Sequence, residues 1–145
     1  MGLLKHFVLP VVALLDALIA YKGFFNEADT IKEMIPVWAP GRDLDGEPLS
    51  GIELHVSHLL GATFLCFLVN AIVAIFREDA HYRGMALFLQ LLFFLVDLCS
   101  YIKVGKDFTE TPLVPILAFM AISLAIHSRE PGIFTKDKEG EKKSK

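Results

Sequence analysis

Four long apolar stretches dominate this 145-residue chain and constrain its fold more than any other feature. They span residues 4–21, 52–76, 84–102 and 112–127. Each is close to the roughly 20 residues that a helix needs to cross about 30 Å of hydrocarbon. Hydrophobic residues make up 54% of the chain, above the roughly 45–50% that is typical of soluble domains. The sequence therefore predicts an all-α integral membrane protein, with a four-transmembrane-helix antiparallel bundle as a single domain at residues 1–130.

Charge in the connecting segments predicts the orientation of this bundle. Bulky and charged residues, "YKGFFNEADTIKEM", follow the first stretch, so we expect a retained helix and not a cleaved signal peptide. Four spans place both termini on one side. Lysine and arginine accumulate there, including the charged tail at 131–145, whereas the segment 22–53 is acidic. The positive-inside rule then predicts cytoplasmic termini, and an ordered acidic loop between helices 1 and 2 on the opposite side.

Local motifs predict two further features of the acidic side. "SGIE" at 50–53 has the pattern of a capping box, in which Ser50 and Glu53 each bind the other's backbone amide. "NEADTIKEMI" is expected to form a short amphipathic helix that presents Ile31, Met34 and Ile35. At the other end of the chain, "KKSK" resembles the dilysine signal of endoplasmic reticulum membrane proteins. The tail and the orientation together favour a eukaryotic endomembrane location.

Ionisable residues inside the apolar stretches are the candidate functional residues. Asp16 interrupts "FVLPVVALLDALIAY", and a carboxylate at the bilayer centre costs about 2.5–3.5 kcal/mol on insertion scales. At about 1.5 Å per residue, Asp16, His58 and Asp97 are all expected roughly 10 Å below the acidic-side surface. His55 and Tyr101 share helical faces with His58 and Asp97. The hypothesis is a ligand or proton pocket made of these five residues.

A structural interpretation stands beside this hypothesis. Polar side chains in membrane bundles often act as interhelical contacts worth about 0.6 kcal/mol on average. Asp16 would then only hydrogen-bond to a neighbouring helix. The sequence alone leaves both interpretations open.

Other chemistries find less support in the sequence. "HVSH" lacks a third ligand at zinc spacing, so no metal site is predicted. His6 and His127 could pair on the cytoplasmic side, but histidines at helix ends commonly anchor to headgroups, and no haem is predicted.

Cys66 and Cys99 are expected as small packing residues. A net charge of −3 without a basic face argues against nucleic acid as a partner. We predict no catalytic residues, although an isomerase or a redox enzyme stays open.

The pattern of the chain also resembles known four-span families. An acid late in the third span, "FFLVDLCSYI", with short later loops, resembles the scaffold family of ergosterol biosynthesis in the endoplasmic reticulum over residues 50–130. That resemblance implies a non-catalytic tether for sterol-modifying enzymes. The chain departs from the family at its second span, which reads "HVSHLLG" and lacks the arginine-threonine-phenylalanine-glycine stretch. "GIELHVSHLLG" is similar to DoxX-like proteins. The buried acids resemble the emopamil-binding group, which implies a sterol or amine pocket.

Two functions follow as expectations. The first is a non-enzymatic membrane scaffold or accessory subunit of a larger membrane assembly, with "FLQLLFF" at 88–94 as a surface for other membrane proteins. The alternative is a bundle that handles a sterol, another lipid, a cation or a proton through the Asp and His pocket. Both place the protein in a lipid bilayer.

Overall fold

The computed structural model describes residues 2–34, 48–104 and 112–129, and these residues form helices and no strand. A π-helical turn at Leu4–Val8 continues directly into the first helix. The helices are α1 (Leu9–Phe25), α2 (Glu27–Met34), α3 (Gly51–Phe76), α4 (Ala80–Val104) and α5 (Leu113–Ser128). The predicted all-α fold is therefore confirmed. The rest of the predicted acidic loop and the tail at 131–145 lie outside the described residues.

Pro10 accounts for the π-helical turn at the start of the chain. Proline has no backbone N–H, and its ring clashes with the carbonyl four residues earlier in a regular helix. The Leu9 amide instead bonds to the Leu4 carbonyl, five residues back. Pro10 then falls in the first turn of α1, where no donor is required. The apolar helix thus runs from Leu4 to Phe25 without a break.

Three helical segments are long and apolar enough to cross a membrane: Leu4–Phe25, Gly51–Phe76 and Ala80–Lys103. The fourth apolar helix, α5, has 16 residues and a length of about 24 Å, which is shorter than the roughly 30 Å hydrocarbon core. The described part of the chain is therefore consistent with a membrane protein that has three candidate spans.

Contacts at both ends of the helices define an antiparallel arrangement of α1, α3, α4 and α5. Gly23, near the end of α1, meets Gly61 in the first half of α3. Leu9, at the start of α1, packs with Ala74 near the end of α3 and Ala86 near the start of α4. The α1 and α4 helices therefore run in one direction. The α3 helix runs in the other, together with α5, whose His127 lies against Gly84 of α4.

Small residues allow α1 and α3 to approach closely. Gly23 and Gly61 are both buried, and the Ser57 hydroxyl donates a 2.9 Å hydrogen bond to the Gly23 carbonyl. Close backbone approach at small residues is how membrane helices commonly gain packing contacts when lipid is as apolar as their side chains. This crossing holds the end of α1 against the first half of α3.

Phenylalanines fill the interface between α3 and α4. The Phe64 ring packs against Phe67, Phe93 and Phe94 with centroid distances of 5.4–5.8 Å, within the range of favourable aromatic pairs. Phe94 is buried and Phe93 partly buried, so the expectation that "FLQLLFF" is an outward docking surface is wrong for these two residues. Phe88 remains exposed.

The motifs predicted on the acidic side are confirmed. Ser50 Oγ accepts a hydrogen bond from the Glu53 amide at 3.3 Å, and Glu53 Oε2 accepts one from the Ser50 amide at 2.7 Å. These two bonds close the capping box at the start of α3. The amphipathic helix is α2, which buries Ile31. The side chain of Met34 and all of Ile35 lie outside what the structure describes.

Candidate functional site

Asp16 lies at the centre of the helix bundle and is bound to a glutamine. The Gln90 side chain donates a 2.9 Å hydrogen bond from Nε2 to Asp16 Oδ2, and both residues are fully buried. Asp16 comes from α1 and Gln90 from α4, so this contact joins the two parallel helices. The partner that the sequence required for Asp16 is therefore Gln90. In the sequence, Gln90 was recognisable only as the one amide side chain of the apolar stretch 84–102.

His58 lies near the end of α1 and pairs with α2. Its Nε2 is 3.2 Å from Glu27 Oε1, and its ring is 5.9 Å from the Phe24 ring between centroids. Glu27 accepts hydrogen bonds from its own backbone amide and from His58, and these hold the pKa of Glu27 below its usual value. His55, almost one turn earlier on α3, is exposed. His58 therefore belongs to the contact between α3 and α2.

Asp97 and Tyr101 line a cavity between α1, α4 and α5. Its volume is about 290 Å³, and Lys22 of α1 faces it together with these two residues. The other lining residues are apolar or proline: Leu15, Leu18, Ile19, Phe94, Pro112, Leu113 and Ile116. Leu18 and Pro112 are exposed, so the cavity opens at their side. We name this cavity the α1/α4/α5 pocket.

Four of the five predicted site residues occupy three places in the structure. Asp97 and Tyr101 share the α1/α4/α5 pocket, Asp16 binds Gln90, and His58 binds Glu27. The fifth, His55, is exposed on α3. Because Gln90 and Asp97 are seven residues apart on α4, Asp16 lies about 10 Å from Asp97 along the bundle. Asp16, His58 and Asp97 therefore do not converge on one site in the structure.

The prediction that Asp16, His58 and Asp97 lie at one depth does not hold, because the helices do not begin at one level. Gly61 of α3 is level with Gly23 of α1. The start of α3 at Gly51 therefore extends about 15 Å beyond this contact, whereas α1 ends at Phe25. Counting residues from each helix end consequently placed His58 too deep relative to Asp16. The pocket also contains Lys22, which lies near the end of α1, six residues after Asp16. No other feature of the sequence marked Lys22 as a site residue.

The described residues contain no group of three or more His, Cys, Asp or Glu side chains that could hold a metal ion. His127 is buried, and its Nε2 lies 2.9 Å from the Ala80 carbonyl. His6 is exposed on the π-helical turn. Cys66 and Cys99 are exposed as well, so they are not the interior packing residues that the sequence suggested.

In comparison with known proteins, no family model, no curated protein and no solved structure matches this chain. The resemblances to the ergosterol scaffold, DoxX-like and emopamil-binding families stay predictions. In the α1/α4/α5 pocket, a cavity coincides with two predicted site residues, Asp97 and Tyr101.

Proposed function

We propose that this chain is a four-span membrane protein that binds an amphipathic small molecule, a sterol or another lipid, in the α1/α4/α5 pocket. The observation that carries the proposal is a cavity of about 290 Å³ with apolar walls and three polar side chains, those of Lys22, Asp97 and Tyr101. Ligand sites in proteins typically combine mostly apolar walls with a few polar groups that orient the ligand.

The chemistry of the pocket favours a ligand with one polar end. Lys22, Asp97 and Tyr101 lie within seven residues of the ends of α1 and α4, whereas Leu15 and Phe94 lie ten residues before those ends. A hydroxyl or headgroup would meet the first three residues, and a hydrocarbon part would contact the others. Because pockets for whole drug-sized ligands measure about 300–1,000 Å³, this cavity holds part of a lipid. The remainder would pass Leu18 into the bilayer.

The fourth span in this proposal is α5. It packs antiparallel to α4 and buries Leu113, Leu117 and Met120 in the same core as the longer helices. A helix shorter than the hydrocarbon core is accommodated by local thinning of the bilayer. An even number of spans and the excess of lysine and arginine beside the termini favour cytoplasmic termini. The dilysine-like ending favours the endoplasmic reticulum.

Blocking the pocket tests the proposal. Ile116→Trp adds bulk to a lining residue, and Ile122→Trp makes the same change on α5 at an exposed position outside the lining. Each protein is purified from native membranes in mild detergent, and bound lipids are extracted and identified by mass spectrometry. We expect one lipid at near-stoichiometric amount in wild type and in Ile122→Trp, and its loss from Ile116→Trp.

The opposite result has a definite meaning. If wild type retains no lipid above the level of the general membrane composition, or if both variants retain it equally, the pocket is not a binding site. The same preparation addresses the scaffold or accessory-subunit prediction. Protein subunits that co-purify in fixed ratio with wild type and both variants would favour that function over lipid binding.

A further inference from the structure

Two buried oxygen atoms at the centre of the bundle have no hydrogen-bond donor. Asp16 Oδ1 and Gln90 Oε1 both lack a partner among the described residues, although each belongs to a fully buried side chain. They are the free ends of the pair already joined by the bond from Gln90 Nε2 to Asp16 Oδ2. The pair thus has two buried acceptors without donors.

A single proton would satisfy both atoms. A carboxylate is an acceptor only, whereas a protonated carboxyl group has one O–H donor. An amide side chain offers N–H donors and one carbonyl oxygen. A carboxylic acid and an amide can therefore form two parallel hydrogen bonds, with each group acting once as donor and once as acceptor. Unpaired buried polar groups are costly, so the arrangement with both atoms bonded is favoured.

Among the residues that the structure describes, no charged group is in place to neutralise an Asp16 carboxylate instead. On α1 the nearest cation is Lys22, six residues away, and on α4 Arg83 is seven residues before Gln90. Both separations are about 9–10 Å along the helices. On α3 no charged residue lies between His58 and Arg77, and on α5 the titratable residue is His127, which contacts Ala80. Asp97, the acidic residue of α4, lines the pocket.

A bound cation is a poorer explanation than a proton. Hard cations such as Ca²⁺ take six to eight oxygen ligands, whereas this pair offers two oxygens without donors. No cluster of three or more metal-ligating side chains occurs in the described part of the chain. The chemistry of the pair therefore fits the smallest cation.

We propose that Asp16 is a neutral carboxylic acid that donates its Oδ1 proton to Gln90 Oε1. Together with the bond from Gln90 Nε2 to Asp16 Oδ2, this proton closes a two-bond ring between α1 and α4. Asp16 is then a proton-binding site inside the bundle, separate from the α1/α4/α5 pocket. This assignment does not depend on whether the pocket binds a lipid.

Infrared spectroscopy of the full-length protein in lipid vesicles tests the assignment. Aspartate is labelled with ¹³C at the side-chain carboxyl, and the carbonyl band of a protonated acid is sought at neutral pH. We expect this band in wild type and in Asp97→Asn, and its loss in Asp16→Asn. Gln90→Leu should keep the band but move it to higher frequency, because the carbonyl loses the amide donor.

A spectrum with only carboxylate bands in wild type would overturn the assignment, and so would an acid band that survives in Asp16→Asn. If Asp16→Asn does not fold, the comparison of wild type with Asp97→Asn still decides, since Asp16 and Asp97 are the two aspartates of the apolar stretches.

Thermal melting adds a second readout. Asn at position 16 can form the same two bonds to Gln90, so Asp16→Asn should melt close to wild type and Asp16→Leu well below it. Equal melting of the two variants would contradict the two-bond ring.

Discussion

Gly23 lies directly against Gly61 where α1 crosses α3: a Cβ placed on Gly23 would be 2.6 Å from the Gly61 Cα and 2.7 Å from its amide nitrogen. The obstacle is backbone, so no change of side-chain rotamer can relieve it. The adjacent Ser57 hydroxyl bonds to the Gly23 carbonyl. The crossing therefore depends on the absence of a side chain at position 23.

Gly23→Ala should destabilise the protein by separating α1 from α3. Overpacking in tight cores costs about 1–3 kcal/mol, and we expect a value at the upper end because backbone atoms must move. Thermal unfolding in detergent measures the change. Gly51→Ala is the matched control, since a Cβ there meets nothing within 4 Å.

Gly61→Ala should fall between these two variants. Its added Cβ would lie 3.1 Å from the Phe24 ring and 3.2 Å from the Ala20 carbonyl, and these distances require a smaller shift than the 2.6 and 2.7 Å at Gly23. The expected order of stability is Gly51→Ala, then Gly61→Ala, then Gly23→Ala. Equal stability of all three would contradict the close crossing.

Ser57→Ala removes the hydrogen bond that crosses from α3 to α1. Interhelical hydrogen bonds in membrane proteins average about 0.6 kcal/mol and reach about 1.7. We expect a loss within this range, because the bond is buried. Ser100→Ala is the control, since its hydroxyl bonds within α4 to the Val96 carbonyl and crosses no interface. If Ser100→Ala lowers the free energy of unfolding as much as Ser57→Ala, the interhelical bond contributes no more to stability than a bond within one helix.

Patterns within one helix predicted the fold well, and contacts between helices decided the site. The apolar windows and the capping box of Ser50 and Glu53 are local features, so the sequence contains them directly. The partner of Asp16 depends instead on how far α1 is displaced along α4, which no local pattern encodes. The sequence pattern grouped Asp16 with His58 and Asp97. The register of the helices instead places Gln90 beside Asp16, and Asp97 about 10 Å away.

The contact between α2 and α3 should weaken in acid. The hydrogen bonds from its own amide and from His58 lower the pKa of Glu27 in the folded protein. A group whose pKa is lowered by folding stabilises the folded state above its unfolded pKa, and this contribution is lost as the pH falls through the folded pKa. The protection factors of the α2 amides, which correct for the slower intrinsic exchange at low pH, should therefore fall at acidic pH in wild type. Glu27→Gln should make the protection of α2 less dependent on pH over the same range, and an unchanged dependence would argue against this contact.

The phenylalanine cluster predicts opposite outcomes for two residues of one stretch. Phe94 is 4% exposed and packs on Phe64, whereas Phe88 is 43% exposed on the same helix. Phe→Ala changes in cores cost about 3–5 kcal/mol in soluble proteins. Lipid is as apolar as the core, so the transfer part of that cost is reduced and the packing part remains.

We therefore expect Phe94→Ala to lower the free energy of unfolding by roughly 1–3 kcal/mol, since lipid cannot easily fill the cavity. Phe88→Ala should lower it by less than about 0.5 kcal/mol, the usual size of surface effects. Reversible unfolding in mixed micelles measures both variants. If "FLQLLFF" were instead a docking surface for another membrane protein, Phe88→Ala would release that partner in co-purification while leaving the stability of the isolated chain unchanged. A destabilisation by Phe88→Ala equal to that by Phe94→Ala would contradict the packing of Phe94 between α3 and α4.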